Sequence, residues 1–353
     1  MRISYLKKSF QILFIVFLLL FYFFNSASIG NFIKEGMLIC YTTVIPSLFI
    51  FMVIATFLPN LKYSNLLSKP LQPIFRLLKI TDKKIVSYCF FGLLSGFATG
   101  GYFLNRINDE YECDENFLGV IAIIVSNNSP AFIVSAVGAN MIGNVKTGII
   151  LYMSIIISSI ITAFIFSFIF SYNIPKFRIN KQYHKTGIAY AINSSVMAIL
   201  NICGIVVFTF SLCKAISLYI QNPYILSIIS SSLEVTCGCK IIIENFGKNL
   251  FLLCIALSFC PLSTCLQMHC KEKSYKILKM LLLSKLITIP VSVLLLRINI
   301  NLFPYSIATY ASGNITTSIY WNKPHISCFF LIISICFVIM FDKKVGVFTN
   351  YNK

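Results

Sequence analysis

Long apolar runs alternate with short polar segments along the whole chain. The runs fall at about 10–28, 37–58, 85–104, 117–140, 147–172, 196–218, 225–243, 249–269, 277–298 and 326–342. A helix needs about 20 apolar residues to cross the hydrocarbon of a bilayer, and most of these runs have that length. The pattern predicts an all-α polytopic membrane protein. The first run follows Arg2, Lys7 and Lys8 and ends in Asn25-Ser26-Ala27-Ser28. Residues 1–28 read as an N-terminal transmembrane helix or signal anchor, in preference to a cleaved signal peptide.

Two runs are too polar or too glycine-rich for a plain crossing. Run 85–104 holds Gly92, Ser95, Gly96, Thr99, Gly100 and Gly101, and run 225–243 holds Ser227, Ser230, Ser231, Ser232, Glu234, Thr236 and Gly238. Irregular backbone at membrane depth is tolerated only when buried in protein or lining a wet cavity. Both read as re-entrant hairpins that return to the side they entered from. Loop charge tests this. With ten crossings and an inner N-terminus, the inner segments hold 17 Lys and Arg and the outer segments 10. With two hairpins the split becomes 21 to 6, in better accord with the excess of cations on the cytoplasmic side. The acidic segment from Asp109 to Glu115 then also lies inside, which the rule allows because acids contribute little to it.

The expected fold has about 8 transmembrane helices plus two re-entrant hairpins, arranged as an inverted-topology repeat. Residues 29–172 form the first repeat and 191–299 the second, each running span, hairpin, span, span. Three crossings per set make the second enter from the opposite side, a recurrent transporter plan. A cytoplasmic linker, 173–190, joins them, and 300–353 carries an interfacial segment with Tyr305, Tyr310, Tyr320 and Trp321 and a C-terminal helix. Each repeat holds a broken helix at the same place: Ser126-Asn127-Asn128-Ser129-Pro130, and Ser258-Phe259-Cys260-Pro261-Leu262-Ser263-Thr264. Proline removes a backbone donor, and freed carbonyls and half-helix ends bind polar solutes or ions. Two packing kinks without a ligand are the plain alternative.

Charge and cysteine content change little. The formal net charge is +18, but the cations sit in short loops, which points to membrane orientation and away from nucleic acid. Of the 13 cysteines most lie in apolar runs as small hydrophobes, with no CxxC pair, and Cys237-Gly-Cys239 is too tight for the usual zinc spacing. No metal site is expected. His184, His269 and His325 lie in loops or at span ends without a metal-pair spacing, so no enzyme is expected either. Glu234 is the one acid in the interior of an apolar run, Asp342 standing at the last position of the tenth. An ionisable group at that depth usually faces a cavity or a partner. It can serve as a hydrogen-bond acceptor for a solute, a proton carrier or a Na+ ligand; the alternative is a hairpin-tip residue near the surface, with Lys240 as a partner. The expected solute-binding residues are Ser95 and Thr99 in the first hairpin, Asn127, Asn128 and Ser129 in the first break, Glu234 and Thr236 in the second hairpin, and Ser263, Thr264 and Gln267 at the second break.

The stretch from Gly36 to Gly138, with Val44-Ile45-Pro46, Ser95-Gly96-Phe97-Ala98-Thr99-Gly100 and Asn127-Asn128-Ser129-Pro130, resembles the YlbJ family of sporulation integral membrane proteins. So do Glu234-Val235-Thr236-Cys237-Gly238 and Phe259 through Gln267 in the second half. The likeness covers about residues 30–300. It implies a nucleoside-recognition or Gate domain, similar to the core of concentrative nucleoside transporters, with two re-entrant hairpins and two unwound helices. Where the family pattern has Pro and Lys in the first hairpin, this chain has Ala98 and Tyr102. Where it has Gly-Gly and His in the second break, this chain has Cys260-Pro261 and Cys265. The resemblance implies a multi-pass protein of the outer forespore membrane that binds or moves a small polar solute such as a nucleoside during spore formation. No cofactor is implied beyond a Na+ or H+ coupling ion. The competing expectation is a non-transporting scaffold for assembly of the spore cortex or coat.

Overall fold

The computed structural model describes residues 13, 16, 20–57, 68–177, 187–268 and 274–302. The C-terminal run at 326–342, the aromatic segment before it, residues 178–186 of the linker and all three histidines lie outside them. Four helices are long and apolar enough to cross a membrane: Val145–Ile169, Ile188–Ser217, Leu250–Gln267 and Tyr275–Leu302. Ser26–Val44 and Leu48–Phe57, bent by 56° against each other, make a fifth when taken as one span. The chain is an all-α membrane protein.

In chain order, α1 (Ser26–Ile39) passes through a π-helical turn, Cys40–Val44, into α2 (Ile45–Phe57). Pro46 lacks the N–H that would continue the ladder, which accounts for the bend. Residues 29–36, expected as a loop between spans, are helical, because α1 starts one residue after a turn at Asn25. A short helix α3 (Gln72–Leu77) precedes α4 (Lys83–Ser95) and α5 (Phe97–Glu110). Next come α6 (Glu115–Val125), the π-wound α7 (Ala131–Ile142) and α8 (Val145–Ile169). The second half holds α9 (Ile188–Ser217), α10 (Pro223–Leu233), α11 (Val235–Phe246), α12 (Leu250–Ser258), α13 (Leu262–Gln267) and α14 (Ser274–Leu302). Asparagine side chains mark several starts: Asn144, Asn222 and Asn249 each accept two backbone N–H groups in the first turn, satisfying donors that a helix end leaves free.

The long helices are sided in the inverse sense to a soluble bundle. Helix α8 exposes Ile149, Met153, Ile157 and Ile161 and buries Ser154, Ser158, Ser159 and Thr162. Helix α14 exposes Leu282, Leu283, Leu286 and Leu294 and buries Ser284, Thr288 and Ser292. Hydrocarbon outside and hydroxyls inside is the arrangement a lipid solvent selects, since small polar residues let helices approach and bond across. The two helices pack on each other, with Thr288 donating to Thr162 at 3.1 Å and Asn299 to Ser154 at 2.9 Å. Each such bond contributes on the order of 0.6 kcal/mol.

Helices α4 and α5 fold back on each other at a single residue, Gly96, whose φ of +85° suits glycine. Their open ends meet: Lys84 Nζ lies 2.8 Å from Glu110 Oε2, and Tyr88 stacks on Phe103 at 5.2 Å. Helices α10 and α11 fold back at Glu234, and Tyr224 meets Phe246 at their open ends, ring centres 4.9 Å apart. A Cβ at Gly238 would sit 2.6 Å from the Ser231 Cα, so backbone touches backbone between these arms.

Polar contacts gather at two ends of the bundle. At one end are Lys84, Glu110, the pair Lys276–Glu115, and a two-residue ribbon of β1 (Tyr111–Glu112) with β2 (Lys176–Phe177). At the other is Tyr219 with Asn25, and the Glu35–Lys240 pair lies between that end and the Glu234 tip. The 25 residues of α8, between its caps Asn144 and Phe170, span roughly 37 Å at 1.5 Å per residue.

Candidate functional site

Proline chemistry builds the centre of the site. Leu257 lies in the last turn of α12, and with Phe259 extended and Pro261 lacking an N–H its carbonyl has no helical donor. The side chain of Asn128 supplies one: its Nδ2 donates to Leu257 O at 2.9 Å. The break between α6 and α7 is thereby tied to the break between α12 and α13 across 129 residues of chain. Gly96, at the tip of the first hairpin, lies against Ser129, where a Cβ would approach the Ser129 N to 3.0 Å. Glu234, at the tip of the second, caps α11 by accepting the Cys237 N–H at 2.6 Å.

A cavity opens where these pieces converge. Ser95, Asn128, Ser129, Glu234, Thr236, Ser263, Thr264 and Gln267 form its polar wall. Val44, Leu48, Phe97, Phe132, Ile202, Val206 and Val235 form the apolar wall. The space open to the centre of a water molecule is about 60 Å³, enough for several waters or a small solute, given roughly 10–15 Å³ for one. No family model, curated protein or solved structure matches this chain.

Eight of the ten residues expected at a solute site therefore line one cavity. The other two do not. Asn127 turns back on its own helix: its Nδ2 donates to Ile124 O at 2.7 Å and to Ser159 Oγ on α8 at 3.1 Å. It closes the end of α6 and fastens it to α8. Thr99 is buried one turn into α5, and its hydroxyl has no hydrogen-bond partner. Ser129 has a double role, lining the cavity while its Oγ accepts the Phe132 N–H at 3.1 Å to start α7.

Glu234 is 1% exposed, so a surface position at the hairpin tip is ruled out by its packing. Lys240 does not reach it. One helix turn and a half further on, Lys240 Nζ sits 2.6 Å from Glu35 Oε1 on α1. Lys214 lies 4.0 Å from the same oxygen. Among the described residues, no Lys or Arg lies in the cavity wall and no three His, Cys, Asp or Glu side chains converge as metal ligands. The apolar wall has no signature of its own in the sequence, because Val44, Leu48, Ile202 and Val206 look like any other membrane-span residues. The one local signal was Pro46, which bends the helix that carries Val44 and Leu48.

The site can accept hydrogen bonds at Glu234 and donate or accept them at its hydroxyls and amides.

Proposed function

We propose that this chain is a solute carrier of the membrane, built as an inverted-topology repeat around the cavity. In this reading α4–α5 and α10–α11 are re-entrant hairpins that dip in from opposite sides, and α6–α7 and α12–α13 are broken spans between them. The order long helix, hairpin, broken helix, long helix over α1–α8 and again over α9–α14 supports the repeat. The meeting of both ends of each hairpin at one end of the bundle supports re-entry, since a crossing would separate Lys84 from Glu110. The count of eight spans includes 10–28 and 326–342, which rest on the sequence pattern.

The observation that carries the reading is the convergence of two hairpin tips and two helix breaks on one cavity with a buried carboxylate. Irregular backbone at membrane depth is expected where a solute passes. A small polar solute binds between Glu234, Asn128 and the α13 hydroxyls, and movement of a hairpin opens the cavity to one side. The resemblance to the YlbJ family adds the setting: spore formation, the outer forespore membrane, and nucleosides as one candidate class.

The test is a thermal-shift screen of the detergent-purified full chain against nucleosides, amino acids, organic acids and cations. A solute that binds only the folded protein, at a hundred times its Kd, adds about 2.7 kcal/mol of stability. We expect at least one class to raise the melting temperature and the Glu234→Gln protein to lose that response. No response to any class, together with normal spore yield from Glu234→Gln cells, would instead favour a scaffold in envelope assembly.

A further inference from the structure

The cavity holds one carboxylate, and no cation among the described residues balances it. Three of the cations pair with other acids. Lys240 and Lys214 lie 2.6 and 4.0 Å from Glu35, and Arg106 lies 3.0 Å from Glu110. Lys285, 3% exposed on α14, is not part of the cavity wall. The carboxylate of Glu234 takes hydrogen bonds from Cys237 N–H and from Thr236, and no charged partner among the described residues. An ionised carboxylate buried without a countercharge is costly, so the missing charge is a property a ligand can supply.

The wall has two natures. Ser129, Thr264 and Gln267 share with Glu234 the polar part of the wall, while Val44, Leu48 and Ile202 present only hydrocarbon. A bare metal ion seeks oxygens on every side, which half of this wall lacks. An anion meets the carboxylate and no cation. A neutral solute leaves the charge uncompensated. A short alkyl chain bearing an ammonium group answers both walls, with three N–H donors for the oxygens and methylenes for the hydrocarbon.

We propose that the solute carries a protonated amine on a short hydrocarbon: its ammonium head binds Glu234, and its chain lies against Val44, Leu48 and Ile202. The inference rests on the reading of the cavity as a solute site. The about 60 Å³ of the cavity suits a solute of only a few heavy atoms.

The test uses the purified full chain in detergent and reads melting temperature against concentration of propylammonium, methylammonium, n-propanol, propionate, sodium and uridine. Propylammonium should stabilise the wild type, with methylammonium at least tenfold weaker and n-propanol and propionate inactive. Glu234→Gln should raise the half-saturating propylammonium concentration at least tenfold. Glu234→Asp, which keeps the charge on a shorter arm, should retain a weaker response. Comparing methylammonium with propylammonium tests the apolar wall on the wild type alone, whatever the variants do. Stabilisation by n-propanol or uridine that survives Glu234→Gln would overturn the ammonium while leaving the solute site standing. Equal stabilisation by sodium and by propylammonium would overturn it in favour of an inorganic cation. A panel with no active member would remove both the ammonium and the solute site.

Discussion

At the scale of single residues, Asn128 and Glu234 have roles that separate by experiment. Asn128 satisfies the Leu257 carbonyl, which the break at Pro261 leaves without a helical donor. Asn128→Leu leaves that carbonyl buried and unpaired, at a cost of about 1–3 kcal/mol, so the melting temperature falls even without solute. Pro261→Ala returns a backbone donor near Leu257, and in that background Asn128→Leu should cost less. The four proteins form a double-mutant cycle read by thermal unfolding; equal losses in both backgrounds would show that Asn128 acts on something other than the proline's carbonyl. Glu234→Gln is the complementary case. Glutamine keeps a carbonyl oxygen to cap α11 and loses only charge, so the stability cost should stay under about 1 kcal/mol while solute response collapses. Membrane abundance and solute-induced melting shift, measured side by side, check both halves of that statement.

Elements meet here through missing side chains as much as through present ones. The arms α10 and α11 touch at Gly238, where an added Cβ would strike the backbone of Ser231. Two of the three nearest atoms, the Ser231 Cα and N, are backbone, so the arms must part. Gly238→Ala should cost about 1–3 kcal/mol and weaken solute response, since Glu234 sits at the joint of those arms. Gly204, on α9, has nothing within 4 Å of its would-be Cβ. Gly204→Ala should be neutral or stabilising by up to about 1 kcal/mol, through higher helix propensity. Thermal unfolding of the two alanine variants in detergent checks the contrast; similar behaviour would mean the hairpin arms are looser than they look.

For the whole molecule, orientation and acid stability follow from the two polar ends of the bundle. The end that holds Lys84, Glu110 and Lys276 is expected to be cytoplasmic, on the 21-to-6 division of Lys and Arg. Single cysteines at 180 and 274, in a background cleared of other reactive thiols, should resist an impermeant reagent in intact cells. One at 221 should react. Labelling at 180 would overturn the two hairpins and restore ten crossings. The same end carries an acid-sensitive cluster outside the apolar layer. Burial alone would raise the Glu110 carboxyl, but hydrogen bonds and charge from Lys84 and Arg106 outweigh it and hold it below its ordinary value. A carboxyl lowered in the folded state adds stability above its unfolded pKa, about 4.3, and loses it as pH falls through the folded value. The wild type should therefore lose more melting temperature than Glu110→Gln between pH 6 and pH 4. Parallel curves would remove Glu110 from the account.

Hydropathy and backbone chemistry act locally, and what depends on them could be read from the chain alone. The helical membrane character follows from apolar runs of bilayer length, the breaks from Pro130 and Pro261, and the importance of Glu234 from its isolation in an apolar run. The packing decided the rest. Asn127 and Asn128 are neighbours in the chain, yet one fastens α6 to α8 and the other faces the cavity. A break has no helical period, so sequence gives no phase by which to tell them apart. Lys240 stands six residues from Glu234 but binds Glu35, 205 residues away, because ion pairs answer to distance in space. Thr99 has the same chemistry as the cavity threonines and is buried away from them. The hydrocarbon wall of Val44, Leu48, Ile202 and Val206 was illegible for the opposite reason: facing lipid and facing a cavity select the same side chains, and only the bend in α1–α2 and its packing on α9 turn these four inward.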